Sequence, residues 1–187
     1  SSGSYTINEG GTSVGTVVVS DPESDSISYS LSGTDSSSML VNSSGAISLV
    51  SNADYETKSS YAAVVTASDG SLNATQNISV AITDLNDECP AFITGTSISY
   101  DENGSSTISI QTSDADANST LTHSILSGDD AASFSINSSS GTLSFNSSPD
   151  YETKSSYQVN VRVSDGVCNT DRTFTIAIQD LNESPSI

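Results

Sequence analysis

The octapeptide Asp-Tyr-Glu-Thr-Lys-Ser-Ser-Tyr at residues 54–61 occurs again without a change at residues 150–157, 96 positions later. Two shorter matches, the triplets Ser-Asp-Gly at 68–70 and Asp-Leu-Asn at 84–86, also return 96 positions further along. Identity at a constant spacing is the sign of an internal repeat. The sequence therefore predicts two copies of one domain.

The spacing between the copies is shorter near their beginnings. Glu9 matches Glu102 and Asp21 matches Asp114, and both pairs are 93 positions apart. We therefore expect a three-residue insertion in the second copy, between these residues and the octapeptide.

Each copy has the pattern of an all-β domain. Apolar and polar residues alternate at 27–31 and 157–163, which puts the apolar side chains of each run on one face of a strand. Further runs typical of short strands are residues 14–19, 46–50, 77–83, 134–136 and 142–145. Clusters of Gly, Ser, Asn and Asp separate the runs by about 8 to 12 residues, as in a β-sandwich. We predict two tandem seven-stranded, immunoglobulin-like β-sandwiches in a linear array, at residues 1–87 and 88–187.

The chain is strongly acidic. Its 187 residues include 23 Asp and Glu against 4 Lys and Arg, a formal net charge of −19. This balance excludes a phosphate-neutralising surface for nucleic acid and disfavours an anionic membrane surface. No segment approaches the roughly 20 apolar residues that span a bilayer, so direct membrane insertion is not expected. Charge alone leaves two interpretations open: a solvated acidic surface, or oxygen ligands for hard cations.

The positions of the acids favour the second interpretation. Glu9, Asp54, Glu56, Asp84 and Asp87 lie at predicted strand ends and turns, and strand ends of a sandwich gather at its two poles. Two carboxylates about 4 Å apart repel by roughly 4 kcal/mol at an effective dielectric constant near 20. Calcium removes this cost because it accepts 6 to 8 oxygen ligands in flexible geometry, whereas magnesium requires a strict octahedron.

At this point the motifs resemble those of a known family. Residues 84–92, Asp-Leu-Asn-Asp-Glu-Cys-Pro-Ala-Phe, resemble the cadherin linker signature Asp-x-Asn-Asp-x-x-Pro-x-Phe. Residues 54–56 look like the family's Asp-x-Glu motif, residues 8–10 and 101–103 like its x-Glu-x motif, and residues 114–116 like its Asp-x-Asp motif. The resemblance covers the whole chain, and it implies two repeats of the cadherin type.

The resemblance implies about three calcium ions at the central linker. Asn86 would contribute its side chain, and Leu85, Glu88 and a residue near Asn118 would contribute carbonyl oxygens. The full set of implied ligands is Glu9, Asp54, Glu56, Asp84, Leu85, Asn86, Asp87, Glu88, Asp114, Asp116, Asn118 and Asp165. Its eight carboxylates nearly balance three divalent cations.

The resemblance also implies half-sites at the outer ends, which await further repeats in a longer array. The receiving half at the first pole would be Asp21, Glu23 and Asp69. The half at the last pole would be Glu102, Asp150, Glu152, Asp180 and Asn182. Here Glu183 stands where the linker signature has Asp.

Cys89 and Cys168 are too few for a disulfide scaffold or a zinc site. In a sandwich of the implied topology, the start of the first strand and the turn before the last strand share a pole. We therefore predict a disulfide between them, which would require an oxidising compartment. Two free buried thiols are the alternative.

The implied function is a calcium-stiffened spacer and adhesion segment of a larger secreted or membrane-anchored protein at the cell surface. Its expected partners are calcium, neighbouring repeats of the same chain and another surface protein or polysaccharide. The low Lys and Arg content favours a bacterial-type adhesin or a marine source.

No catalytic site is expected. His123, the one histidine, has no residues that would complete a Ser/His/Asp or Cys/His site, so no enzyme is expected. The alternative function is a module that binds a protein or polysaccharide through a sandwich face.

Overall fold

The computed structural model describes residues 2–104 and 107–184. The chain divides into two compact units, Ser1–Leu85 and Asn86–Ile187. Both are built from β-strands, as predicted. The predicted boundary lies two residues later, after residue 87, and it stays a prediction. It was placed there because residues 86 and 87 are implied calcium ligands, and not because of how they pack.

The first unit is a sandwich of two sheets. Its strands are β1 (Ser2–Asn8), β2 (Ser13–Thr16), β3 (Ser28–Ser32), β4 (Met39–Val41), β5 (Ala46–Leu49), β6 (Ser60–Ser68) and β7 (Asn73–Thr83). One sheet has the order β1-β7-β6-β3 and the other β2-β5-β4. β1 runs parallel to β7, and the other pairs are antiparallel. Seven is also the number of strands that the sequence predicts.

The second unit has the same plan with divided strands. It contains β8 (Ala91–Phe92), β9 (Ser97–Asp101), β10 (Thr107–Ser109), β11 (Thr112–Ser113), β12 (Thr122–Ser127), β13 (Phe134–Ile136), β14 (Thr142–Phe145), β15 (Ser156–Ser164) and β16 (Asn169–Gln179). The sheets are β12-β15-β16-β9, β10-β14-β13 and the pair β11-β8. The first strand of the sandwich is thus divided into β8 and β9, and the second into β10 and β11.

The prediction of one three-residue insertion is wrong. The second unit has three separate insertions of one residue each. Tyr29 pairs with Ala67 as His123 pairs with Val163, so Tyr29 and His123 are equivalent and 94 positions apart. The spacing at Asp21 and Asp114 is 93. One residue is therefore inserted in the loop before β12.

The second and third insertions lie in a strand and in a turn. The register of β12 shifts between Ile125 and Ser127, which makes Leu126 the extra residue of a bulge. The turn at residues 42–45 corresponds to the turn at 137–141, which is longer by one Ser. A bulge and a longer turn absorb single residues without changing which side chains face the core.

Two predicted strands differ from the structure by more than one residue at an end. Residues 14–19 were expected to form one strand, but β2 ends at Thr16 because its partner β5 begins at Ala46. Beyond that point only the Val17 amide continues the pattern, by donating to the carbonyl of Gly45 at 2.9 Å. The strand expected at 77–83 begins instead at Asn73, because β6 extends to Ser68 and pairs with the polar residues that precede 77.

Each unit has its own apolar core. In the second unit Leu143, Val161, Phe174 and Ile176 are completely buried. The side chains of β15 alternate between buried and more exposed positions, as the sequence pattern predicts. The hydrophobic effect at about 25 cal/mol per Å² of buried apolar surface makes these strands the main source of stability.

An ion pair that the sequence did not reveal occurs once in each unit. The ammonium of Lys58 lies 3.1 Å from a carboxylate oxygen of Asp35, and Lys154 contacts Asp130 in the same way. Each lysine also lies over a tyrosine ring of the octapeptide, at 5.2 and 5.1 Å from the ring centroids. The pKa of Asp35 is lowered first by the backbone hydrogen bond from Ala62 and then by the pairing with Lys58.

Gly141 occupies a position that excludes a side chain. Its φ of +66° is strained for other residues, and a Cβ atom would lie 2.5 Å from the carbonyl oxygen of Ile110 and 3.1 Å from Nε2 of His123. Gly166 has a φ of +96°, but a Cβ atom there would have no neighbour within 4 Å. A substitution at Gly166 therefore tests backbone strain alone, whereas a substitution at Gly141 tests strain together with steric overlap.

We predict that Gly166→Ala lowers the free energy of unfolding by about 1 to 2 kcal/mol, from strain alone. Gly141→Ala adds overpacking against a backbone atom and should cost about 1 to 3 kcal/mol more. Urea unfolding of both variants measures the difference. Equal losses would contradict the close approach of Gly141 to Ile110.

Candidate metal centre

Three carboxylates of the second unit converge. One oxygen atom from each of Asp114, Asp116 and Asp165 lies within 4.8 Å of the others. Asp114 and Asp116 follow β11, and Asp165 follows β15. Asp116 and Asp165 are buried. The fold therefore brings together the three acids that the sequence predicts at this pole.

Local hydrogen bonds fix how these carboxylates point. One oxygen of Asp165 accepts the amides of Val167 and Cys168, both at 2.7 Å. One oxygen of Asp114 accepts the amide of Asp116 at 3.0 Å. These turn amides therefore hold the carboxylates of Asp114 and Asp165 in fixed positions.

The segment that begins the second unit reaches the same carboxylates. The Asn86 side-chain amide donates to the backbone carbonyl of Asp165 at 3.3 Å, and the amide of Glu88 donates to Asp116 at 3.2 Å. We call Asn86, Asp114, Asp116 and Asp165 the Asp165 cluster.

In the Asp165 cluster, Oδ1 of Asn86 and Oδ2 of Asp114 are buried oxygen atoms without a hydrogen-bond donor. A buried acceptor without a partner costs about 1 to 3 kcal/mol. A cation bound by these atoms would remove this cost and the mutual repulsion of the carboxylates. The ligand set consists of hard oxygen atoms only, which suits calcium and not a thiolate- or imidazole-binding metal.

At the C-terminal end of the first unit, Glu9 ties three segments together. Glu9 follows β1 and is buried. One of its oxygens accepts the amide of Tyr55 at 2.8 Å, and the other accepts the amide of Leu85. The hydrogen bonds from Tyr55 and then Leu85 lower the pKa of Glu9. Glu56 has carboxylate oxygens within 4.8 Å of Glu9 and of Asp84.

The second unit repeats this arrangement at its own C-terminal end. Glu102 is fully buried and accepts the amides of Tyr151 and Leu181, each at 2.7 Å. Oxygens of Glu102, Glu152 and Asp180 lie within 4.8 Å of one another, and we call these three residues the Glu102 cluster.

The Glu102 cluster is repulsive. A backbone hydrogen bond lowers the pKa of Glu152, but desolvation and the charges of Glu102, Asp180 and Glu183 outweigh it, so the pKa lies above its ordinary value. Glu183 also accepts a hydrogen bond from the side-chain amide of Asn103 at 2.9 Å. Glu183 was not among the predicted ligands, although it lies 96 positions after Asp87 and so takes its place in the repeat.

Other predicted ligands are not gathered in this way. Within residues 2–104 and 107–184, Asp21, Glu23 and Asp69 do not form a group of close carboxylates like the Asp165 cluster. Asp21 instead accepts the amides of Glu23 and Asp25 at 2.9 and 3.1 Å, and Asp69 accepts those of its own turn. The two units also differ in sequence here: residues 21–23 are Asp-Pro-Glu, whereas the matching residues 114–116 are Asp-Ala-Asp.

Asp54 and Asp150 bond to their own turns. Asp54 accepts the amide and the hydroxyl of Thr57 at 2.9 and 2.8 Å, and Asp150 bonds to Thr153 in the same way. The carbonyl near Asn118, the side chain of Asn182 and the remaining ligands stay predictions.

Cys89 and Cys168 form a disulfide within the second unit, with Cα atoms 5.6 Å apart. The predicted bridge is thus present. It connects the segment that carries Asn86 and Glu88 to the turn that carries Asp165.

Comparison with known proteins agrees with this architecture. The sequence profile of the Cadherin domain family matches residues 96–179. Cadherin-3 of Caenorhabditis elegans is 30% identical over 97% of the chain, and human Protocadherin Fat 4 is 31% identical over 94%. The chain spans only about 6% and 4% of these two relatives. The crystal structure of human Protocadherin-24 EC1-2 superposes with a TM-score of 0.75 at 24% identity, covering 96% of this chain and 94% of that one.

The chain therefore belongs to the cadherin family, as tandem repeats of the cadherin fold. Cadherin repeats in general are calcium-binding adhesion modules of extracellular and cell-surface proteins, and they are not enzymes. The part of the chain that the structure describes contains no helix long and apolar enough to cross a membrane.

The buried glutamates allow hydrogen bonding to be separated from charge repulsion. In the presence of a chelator, Glu102→Gln replaces one accepting oxygen by a donor that faces a backbone amide. We expect a loss of about 1 to 3 kcal/mol in the free energy of unfolding. Glu152→Gln removes the same charge from an exposed residue with a raised pKa, so it should leave stability unchanged or increase it. Chemical unfolding of the two variants measures both effects, and a gain in stability for Glu102→Gln would contradict the structural role of this carboxylate.

Proposed function

We propose that this chain binds calcium ions where the first repeat joins the second, and that the ions stiffen an adhesive or spacing segment of a surface protein. The observation that carries the proposal is the pair of buried, donor-free oxygens in the Asp165 cluster, at Asn86 and Asp114. Such oxygens are costly without a ligand and suit a hard cation.

The Asp165 cluster would supply one calcium site from the second repeat. Asn86 would contribute its side-chain oxygen, Asp114, Asp116 and Asp165 their carboxylates, and Glu88 its carbonyl. A bound calcium ion supplies charge neutralisation and a fixed coordination geometry. The hydrogen bonds that hold Asp114 and Asp165 in place reduce the reorganisation that binding requires.

The end of the first repeat would supply the remaining ligands. Glu9 and Glu56 have close carboxylates, and Leu85 is held by its hydrogen bond to Glu9. Asp87 follows Leu85 by two residues, and the family resemblance implies that it bridges two ions. Together with the Asp165 cluster these residues support about three calcium ions, the number that the resemblance implies.

The two outer poles would differ in how well they bind calcium. The Glu102 cluster repeats the arrangement around Glu9 and would serve a following repeat. Among the described residues, the acids of the first pole do not form a close carboxylate group, which would make that pole the weaker receiver. Extracellular location, adhesion to another surface protein or polysaccharide, and the source organism stay proposals. So does the alternative of a binding module that uses a sandwich face.

Calcium titration of the chain tests the proposal. We expect binding at micromolar to millimolar calcium and a rise in melting temperature by linkage. Asp116→Asn and Asp87→Ala should each weaken binding at least about tenfold, because each removes a ligand charge. Asp171→Asn is the matched control: it removes a charge from an exposed acid that pairs with Arg162 at 2.7 Å, outside both clusters. The absence of binding at several millimolar calcium, or equal losses in all three variants, would contradict the proposal.

A further inference from the structure

The disulfide lies beside a carboxylate of the Asp165 cluster. Sγ of Cys168 is 3.6 Å from Oδ2 of Asp165, and the Cys168 amide bonds to Oδ1 of the same residue. On the other side of the bridge, Cys89 directly follows Glu88, whose amide bonds to Asp116. The bridge thus joins two parts of the cluster that are 79 residues apart in sequence.

The turn that carries Asp165 does not need the disulfide for its shape. The first repeat has the same turn, where Leu72 stands in place of Cys168 and is 75% exposed. There Asp69 accepts the amides of Ser71 and Leu72 at 2.6 and 2.7 Å, just as Asp165 accepts those of its own turn. The bridge must therefore serve something other than the turn.

Within the second repeat, the segment before Cys89 has no buried anchor of its own in the described part of the chain. From Pro90 onward the chain is anchored, because Pro90 is completely buried. Before Cys89, the hydrogen bonds to the Asp165 cluster are that of Asn86 to the Asp165 carbonyl at 3.3 Å and that of Glu88 to Asp116 at 3.2 Å. The disulfide extends the anchored region to the residue next to these contacts.

We propose that the Cys89–Cys168 disulfide positions Asn86 against Asp165 and Glu88 against Asp116 for calcium binding, so that reduction of the bridge weakens calcium affinity. The inference rests on the proposed calcium function and adds a redox dependence to it. Reduction by a dithiol transfers two electrons and two protons to the bridge, which gives two cysteine thiols and the oxidised, cyclic disulfide of the reagent. Because coupling is reciprocal, bound calcium must make the bridge harder to reduce by the same factor.

Calcium titration of the full chain and of a Cys89→Ser/Cys168→Ser double variant tests this coupling. We expect the affinity of the weakest-bound ion class to fall about tenfold in the double variant, the size of effect that supporting residues have on metal sites. Val161→Ala is the control, because it opens a cavity at a completely buried core position and leaves the bridge intact. It should lower the melting temperature without changing calcium affinity.

A second measurement covers the case in which the double variant does not fold. The equilibrium constant for bridge reduction in unmodified protein, measured in a dithiol buffer, should fall about tenfold on saturation with calcium. Val161→Ala should show the same protection. Equal calcium affinity with and without the bridge, or equal reduction with and without calcium, overturns the inference and leaves the proposed function intact. Unmodified protein that binds no calcium overturns both.

Discussion

The hydrogen bonds that two buried glutamates accept are the interaction on which the rest of each repeat end depends. Glu9 and Glu102 each bind one amide from the octapeptide and one from the segment that follows the last strand. Three segments distant in sequence are thereby joined at one point. The same arrangement brings further acids to within 4.8 Å. The same two glutamates thus order the repeat ends and lie among the acids that repel one another there. A cation bound by these acids would remove the repulsion and leave the hydrogen bonds in place.

Much of this could be predicted from the sequence, because it depends on local patterns and on repetition. Phe134–Ile136 and Thr142–Phe145 form the expected strands with the expected bounds, since alternation of apolar residues fixes which side faces the core. The disulfide followed from placing Cys89 and Cys168 on a known topology. The acids of the Asp165 cluster were predicted as a set and converge as a set.

What could not be predicted depends on contacts between distant segments. The end of β2 at Thr16 is decided by where β5 begins, which the valines at 17–19 do not encode. The three separate insertions cannot be located without strand register, because the sequence between the matching motifs has diverged. The double acceptor role of Glu9 and Glu102 was also missed: the resemblance indicated ligands, whereas the amides that hold them belong to residues far away in sequence.

The two repeats differ in what surrounds the same turn. The turn of Asp165 and the turn of Asp69 have the same hydrogen bonds, yet in the described part of the chain only the former has a cysteine bridge and close carboxylate neighbours. This contrast within one chain shows that the hydrogen bonds of the turn form without either feature.

We propose that calcium ions stiffen the junction at residues 84–88. Small-angle X-ray scattering of the chain in calcium and in excess chelator tests this claim most directly. We expect a longer and narrower distance distribution in calcium and a broader one in chelator, because unneutralised carboxylates at the junction repel one another. Identical scattering profiles in the two conditions would contradict it.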